Sequence, residues 1–289
     1  MSSEENVTGG KRVFRATFAY LVFIAIFILG SLLIVAWAYG DDDLLPGLLP
    51  KAHSHNDYLR ERPLRDALDR GFCSVEADIF LVDGELLVAH DRDKCSPERT
   101  LEALYLKPLW ERFQTYGGIH AQPVPFTLLI DIKTDGAAAY AALDRQLAAY
   151  DAMLTQFTDT TTTPGAVTVI ISGDRAVDTI LQSNPRRAGI DGRLTDLESP
   201  LNPHQMPLIS DNWLKHFTWM GQGEIPQAQA DKLATIVEKA HKHGVRVRFW
   251  AIPQRESLWQ TLNDTGVDLL NADDLGKLQS LLVGKNSNP

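Results

Sequence analysis

The sequence predicts an α/β chain folded as a (β/α)8 TIM barrel behind an N-terminal transmembrane helix. Three observations carry that prediction. An uncharged, apolar run extends from Ala16 to Gly40. From residue 51 onward, short apolar runs alternate with stretches of helical period, the pattern of repeated βα units around a parallel sheet. Eight such runs can be counted in roughly 240 residues, the usual size of a (β/α)8 barrel. A 289-residue chain with this front leaves one domain of roughly 250 residues, enough to keep a single core.

The elements follow in order. Residues 1–15 read as a cytoplasmic tail, because Lys11, Arg12 and Arg15 precede the apolar run and Asp41, Asp42 and Asp43 follow it. Residues 16–40 form the predicted anchor, spanning roughly 37 Å as a helix against a hydrocarbon core of about 30 Å. Tyr20, Trp37 and Tyr39 suit the interfacial belts. The competing reading is a protein secreted after signal cleavage, since Ala36-Trp37-Ala38 resembles a cleavage site; the apolar run exceeds the usual length of about 7 to 15 residues, which favours the uncleaved anchor. Glu4 and Glu5 argue against a mitochondrial presequence. The protein is thus expected to be single-pass, with its barrel on the non-cytoplasmic side.

Pro46, Gly47 and Pro50 mark residues 41–50 as a linker, and 51–289 as the barrel domain. Strands are predicted at 51–55, 73–80, 126–132, 166–172, 188–191, 207–211, 245–251 and 267–271. The clearest helix, 226–243, starts with a proline, places Leu233, Ile236, Val237 and Ala240 on one face and stops at Gly244. An open doubly wound sheet is the alternative, and the weakly apolar strand 188–191 is where the count is thinnest.

Charge narrows the function. With 28 Lys and Arg against 37 Asp and Glu, the net charge is -9, which excludes a nucleic-acid partner held through its phosphates. An acidic protein acting on a phosphate needs a local cation to offset its own field, and a bound metal is the usual solution.

Candidate chemistry lies at strand ends. Glu76 and Asp78 alternate with Val75, Ala77 and Ile79, so both carboxylates face the barrel interior. Burying two acids costs several kcal/mol each unless they are paired or bind a metal. An internal salt bridge is one solution; a divalent cation explains both acids. The Asp83-Gly84 pair signals a tight hairpin, and with residues 82 and 85 opposite, the register brings His90 diagonal to Glu76 and Asp78, where a histidine suits proton transfer. The first strand ends in Ala52-His53-Ser54-His55-Asn56-Asp57-Tyr58, and periodicity alone does not choose between His53 and His55. Asp131 and Lys133 add a third carboxylate and a cation, or else a local ion pair. In the seventh strand Arg246, Arg248 and Trp250 alternate with Val245, Val247 and Phe249. Arg248 can clamp a phosphate or pair with the acids, and Trp250 can wall the mouth.

The ordered set His53, Glu76-Ala77-Asp78, His90-Asp91 and Asp131-Ile132-Lys133 resembles the phosphatidylinositol-phospholipase-C-like phosphodiesterase superfamily, which includes glycerophosphodiester phosphodiesterases and sphingomyelinase-D-type phospholipases. More closely, AHSHNDY, GFCSVEADI, LLVAHD and VRFWAIP are similar to the "altered inheritance of mitochondria protein 6" family. The resemblance implies a (β/α)8 barrel that cleaves phosphodiesters with one divalent cation, Mg²⁺ or Ca²⁺. By position it makes Glu76, Asp78 and Asp131 the metal ligands, His53 and His90 the catalytic pair, Lys133 a phosphate contact and Trp250 a substrate-site residue. Ser54 and His55 replace the arginine and glycine of glycerophosphodiesterases, and the three-acid site looks nearer to the sphingomyelinase-D type. The function so implied is a membrane-anchored phosphoric diester hydrolase, or a lyase forming a cyclic phosphate, acting on a phosphodiester or phospholipid. A catalytically inactive barrel serving as a tethered binding module is the rival; it gives no reason for two histidines, three acids and a lysine on one rim.

Cys73 and Cys95 sit near the hairpin's register, so continued pairing would bring them close enough for a disulfide outside the cytoplasm; two reduced thiols are the alternative. His120, His204, His216, His241 and His243 receive no role. Trp213 and Trp219 either line a lipid entrance or pack the rim.

Overall fold

The computed structural model describes residues 47–286. The predicted tail 1–15, the anchor 16–40 and residues 41–46 of the linker lie outside the described residues. Among the described residues no helix is long and apolar enough to cross a membrane.

Among the described residues eleven strands follow in chain order: β1 (Leu49–Ser54), β2 (Phe72–Val82), β3 (Glu85–Val88), β4 (Phe126–Ile132), β5 (Gln156–Phe157), β6 (Thr162–Thr163), β7 (Val167–Gly173), β8 (Ala188–Gly192), β9 (Leu208–Asn212), β10 (Arg246–Trp250) and β11 (Leu269–Ala272). Eight of them, β1, β2, β4 and β7 to β11, pair in parallel, and the pairing of β1 with both β2 and β11 closes the ring. This closure excludes the open doubly wound sheet. β1 starts at Leu49, so the end of the expected linker already belongs to the barrel. β5 and β6 form a separate two-stranded ribbon.

The strand 188–191, thin by hydrophobicity, is real because its glycines let neighbours approach. A Cβ on Gly189 would meet the Pro207 ring, and one on Gly192 would strike Ile209. Apolar content is low where packing needs the absence of a side chain.

Two apolar layers hold the fold. The larger lies between strands and helices; the helix Gln227–Lys242 contributes Leu233, Val237 and Ala240 to it and ends before Gly244, whose φ is +74°. Inside the ring, Leu129, Ile170, Leu208 and Leu269 form a small plug. The polar residues that follow them along the strands are therefore raised to the C-terminal rim, where barrels of this type carry their sites.

β2 outruns the ring, and β3 returns along its end. The ladder runs from Val82 opposite Glu85 to Ile79 opposite Val88, the register that the Asp-Gly signal predicts. Asp83 and Gly84 both have positive φ, 51° and 89°, as a two-residue hairpin matched to strand twist requires. The pairing ends at Ala89, whose N–H donates to Asp78 O at 3.2 Å, and residues 92–94 form a 3₁₀ turn. Cys73 and Cys95 accordingly remain free thiols, the second of the two readings left open by the sequence, because a disulfide depended on the ladder continuing. Burial pushes the Cys73 thiol up to about 12, so it is unreactive.

Candidate active site

Parallel pairing sets Asp78 beside Asp131, and the period of two places Glu76 one step below on the same face. Glu76, Asp78 and Asp131 each present a ligand atom within 4.8 Å of the others. Sequence expected these acids together, and the structure brings them together. Asp131 keeps its place through Gly173 of the next strand: with φ +70°, and a Cβ that would collide with Asp131 Oδ1, this position admits only glycine without strain.

Cations surround the acids unequally. Arg248 is 2 % exposed; its Nη2 donates to Glu76 Oε2 at 2.6 Å and its Nε to Asn271 Oδ1 at 2.8 Å. Of the two uses expected for Arg248, the geometry gives the charge partner and not the phosphate clamp, since the guanidinium is enclosed and engaged. Burial pushes the Glu76 carboxyl up, but Arg248, followed by the His53 hydrogen bond, outweighs it and holds the group well below the usual carboxylate range. Arg246, one inner position lower, meets Thr127 Oγ1 at 3.1 Å, away from the rim. Lys133 Nζ lies 3.1 Å from both Asp78 Oδ2 and Asp131 Oδ1.

That lysine does not suffice. Burial, and then the charge of Glu76, raise the Asp78 carboxyl above its ordinary value despite Lys133. Burial, against Lys133 and with the charges of Asp78 and Glu76, raises Asp131 to about 6. Asp78 Oδ1 is buried with no hydrogen-bond partner. A carboxylate oxygen left in this state costs about 1–3 kcal/mol or more. The donor set is therefore three carboxylates, one with a bare buried oxygen, which fits a hard divalent cation such as Mg²⁺ or Ca²⁺ completed by water.

The histidines divide by environment. His53 is wholly enclosed, with Nδ1 on Ser74 Oγ at 2.7 Å and Nε2 on Glu76 Oε2 at 3.4 Å. Burial, followed by the charge of Arg248, lowers it to about 3, so it is neutral. His55 is the one at the mouth: Nδ1 lies 2.6 Å from Asp273 Oδ1, while Nε2 faces Glu76 Oε2 at 3.9 Å. His90 arrives from the hairpin as its register predicts, with Nδ1 3.2 Å from Asp78 Oδ2 and 3.0 Å from the Tyr58 hydroxyl; its side chain is 54 % exposed. Tyr58 also meets Asp78 Oδ2 at 2.7 Å.

Sequence reasoning missed Asp273 and Tyr58. The signal for Asp273 was present: Leu269 and Asn271 alternate with Leu270 and Ala272 along β11, and the parallel register His53–Asn271, continued one step past the strand end, carries His55 to the level of Asp273. Trp250 ends β10 beside Asn212 and is half-buried. Trp213 and Trp219 are buried; Trp213 stacks on Phe217 at 4.0 Å and donates from Nε1 to Trp219 O, so they pack the rim and line no entrance.

Comparison with known proteins agrees with this architecture. The AIM6-like phosphodiesterase domain matches residues 42–190. The altered inheritance of mitochondria protein 6 homolog of Arthroderma benhamiae is 31 % identical over 269 residues, covering 81 % of this chain and 84 % of that one. The protein of that name from Lachancea thermotolerans is 31 % identical over 282 residues, and the match covers 81 % of this chain but 66 % of that one, just under two thirds. A glycerophosphodiester phosphodiesterase from Parabacteroides distasonis superposes with a TM-score of 0.54 at 15 % identity, over 82 % of this chain and 98 % of that one, which shows a shared fold. With its domain match and this level of identity along most of its length, the chain belongs to the family of AIM6-like phosphodiesterases.

Proposed function

We propose that the protein is a metal-dependent phosphoric diester hydrolase acting on a phospholipid or glycerophosphodiester-type substrate. The observation that carries this reading is the convergence of Glu76, Asp78 and Asp131 around the bare Asp78 Oδ1, with two histidines facing the same space. When bound, a divalent cation there supplies charge to a phosphoryl oxygen and stabilises the transition state.

The chain's own residues supply the rest. Lys133 offers a second positive group beside the phosphoryl oxygens. Asp273 holds His55 Nδ1–H, which leaves the Nε2 lone pair to take the proton from the attacking hydroxyl, either water or a neighbouring hydroxyl of the substrate. As the new P–O bond forms, the opposite P–O bond breaks and the leaving oxygen takes its proton from His90 Nε2. Asp78 and Tyr58 at His90 Nδ1 fix the orientation of that ring. The enclosed His53, which family resemblance casts as catalytic, is assigned to holding Glu76 in position. Attack by water gives hydrolysis; attack by a substrate hydroxyl gives a cyclic phosphate.

We further propose that residues 16–40 anchor the protein in a membrane with the barrel on the non-cytoplasmic side. The test of substrate is a screen of the full chain against lysophospholipids, sphingomyelin, phosphatidylinositol and glycerophosphodiesters, with Mg²⁺, Ca²⁺ or chelator. Metal-dependent release of a phosphomonoester or cyclic phosphate from one class supports the reading; cleavage confined to carboxylic ester bonds refutes it.

A further inference from the structure

Two arginines on the same rim are not used by the site described above. Arg175 follows β7 and Arg193 follows β8, so both leave the barrel at the end where Asp78 and Asp131 sit. Register sets their distance from that site. Asp131 lies beside Ser172, and the pair Ile171–Ile190 carries Ser172 to the level of Asp191. At about 4.8 Å per strand, Asp191 is roughly 10 Å from Asp131.

Both guanidiniums are anchored through Nη1. Arg175 Nη1 donates to Asp191 O at 2.8 Å. Arg193 Nη1 lies 2.8 Å from Asp191 Oδ2, 3.1 Å from Asp191 O and 2.9 Å from Gly192 O. Arg193 Nη2 reaches Ser172 Oγ only at 3.4 Å. Among the described residues, no hydrogen bond uses the Nε or Nη2 of Arg175 or the Nε of Arg193. About a quarter of each side chain is exposed, 24 % and 26 %.

Each arginine has an acid nearby, but only Arg193 is hydrogen-bonded to a carboxylate. Asp191 is fully buried under the arginines, held by Ser172 Oγ at 2.7 Å and Ser210 Oγ at 2.5 Å. One guanidinium, that of Arg193, already meets its carboxylate. Arg175 binds only its carbonyl, and stands 3.8 Å from Asp196, whose Oδ2 accepts from the Arg193 backbone N–H. Asp211 pairs with His216 at 3.1 Å. Burial, followed by the like charge of Arg193, lowers Arg175 below its ordinary value, and the charges of Asp191 and Asp196 offset this only in part.

We propose that Arg175 and Arg193 form a second anion subsite, which takes a phosphate or carboxylate carried by the substrate roughly 10 Å from the scissile phosphodiester. It rests on the reading that Glu76, Asp78 and Asp131 hold the scissile group. The subsite selects substrates with a further anionic end over those with a neutral one.

Binding tests this without relying on turnover. The full chain, with divalent cation present, is titrated calorimetrically with short alkyl phosphates whose far end is a phosphate, a carboxylate or a hydroxyl. At least one anionic end should bind about tenfold or more tighter than the hydroxyl end, and which one identifies the group. Arg175→Gln and Arg193→Gln should each remove most of that preference. Arg193 braces buried Asp191, so its variant is read only with unchanged thermal unfolding; Arg175→Gln breaks one hydrogen bond to a carbonyl and a long ion pair with the partly exposed Asp196, and remains the deciding variant. Equal affinity for the three ends, or full preference retained in Arg175→Gln, overturns the subsite. A preference that persists in a protein cleaving no phosphodiester overturns the catalytic reading instead, and absence of all binding overturns both.

Discussion

Asp131→Asn should stabilise the metal-free protein while destroying its metal site. Asp131 titrates near 6 in the fold against an ordinary value of 3.8, because burial and the charges of Asp78 and Glu76 oppose its ionisation more than Lys133 favours it. A folded-state value above the unfolded one means that stability is intact below the unfolded value and falls as pH rises through the folded value. The gap of about two units corresponds to roughly 3 kcal/mol, developed between about pH 4 and pH 6 and complete at pH 7. An uncharged asparagine avoids this loss. For a domain of this size 1 kcal/mol is about 2–4 °C, so in EDTA at pH 7 the variant should melt several degrees above the parent. The two should converge toward pH 4. With Mg²⁺ or Ca²⁺ the order should reverse, since only the parent gains binding energy. Thermal unfolding at a series of pH values, with and without cation, measures all of this. A variant less stable than the parent in EDTA at pH 7, or a difference that ignores pH, would refute the electrostatic reasoning.

Three further outcomes follow from the geometry. His55→Ala and His90→Ala should each lower phosphodiesterase kcat by about 10² to 10⁴-fold, with a p-nitrophenol leaving group rescuing only His90→Ala, whereas His53→Ala should chiefly lower stability and cation affinity; rates, melting temperatures and cation titrations of the three variants check the division. Gly173→Ala, which forces a Cβ against Asp131 Oδ1 at positive φ, should cost about 1–3 kcal/mol in stability and weaken cation binding, as unfolding and titration in parallel would show. In membrane vesicles of native orientation, protease added from the non-cytoplasmic side should digest the barrel, and protection of it would reverse the proposed topology.

Much of the fold was legible because parallel barrel strands are short apolar runs set off by helices. All eight predicted runs are strands, including 188–191, where glycine packing replaces hydrophobic content. The acid trio was legible because period-two alternation fixes which side chains share a face, and a two-residue Asp-Gly turn fixes register. Periodicity failed between His53 and His55 because it gives the face and not the depth. The depth is set by the stagger of β1 against β2 and β11, which places His53 beside Ser74 and Asn271 inside the ring and His55 above them. Arg248 was ambiguous for a similar reason: its partner Glu76 is 172 residues away, and only closure of the ring brings them into contact. The state of Cys73 and Cys95 was left open between a disulfide and two thiols because a summed register does not contain the end of the ladder.

The proposed function requires that Glu76, Asp78 and Asp131 hold a divalent cation on which phosphodiester cleavage depends. The most direct measurement is phosphorus NMR of a phosphodiester substrate incubated with the full chain, first stripped by EDTA and then given Mg²⁺ or Ca²⁺, alongside Asp78→Asn treated in the same way. No turnover is expected in EDTA, with restoration by one of the cations in the parent and none in the variant. Turnover that persists in EDTA, or an Asp78→Asn variant restored as fully as the parent, would contradict it.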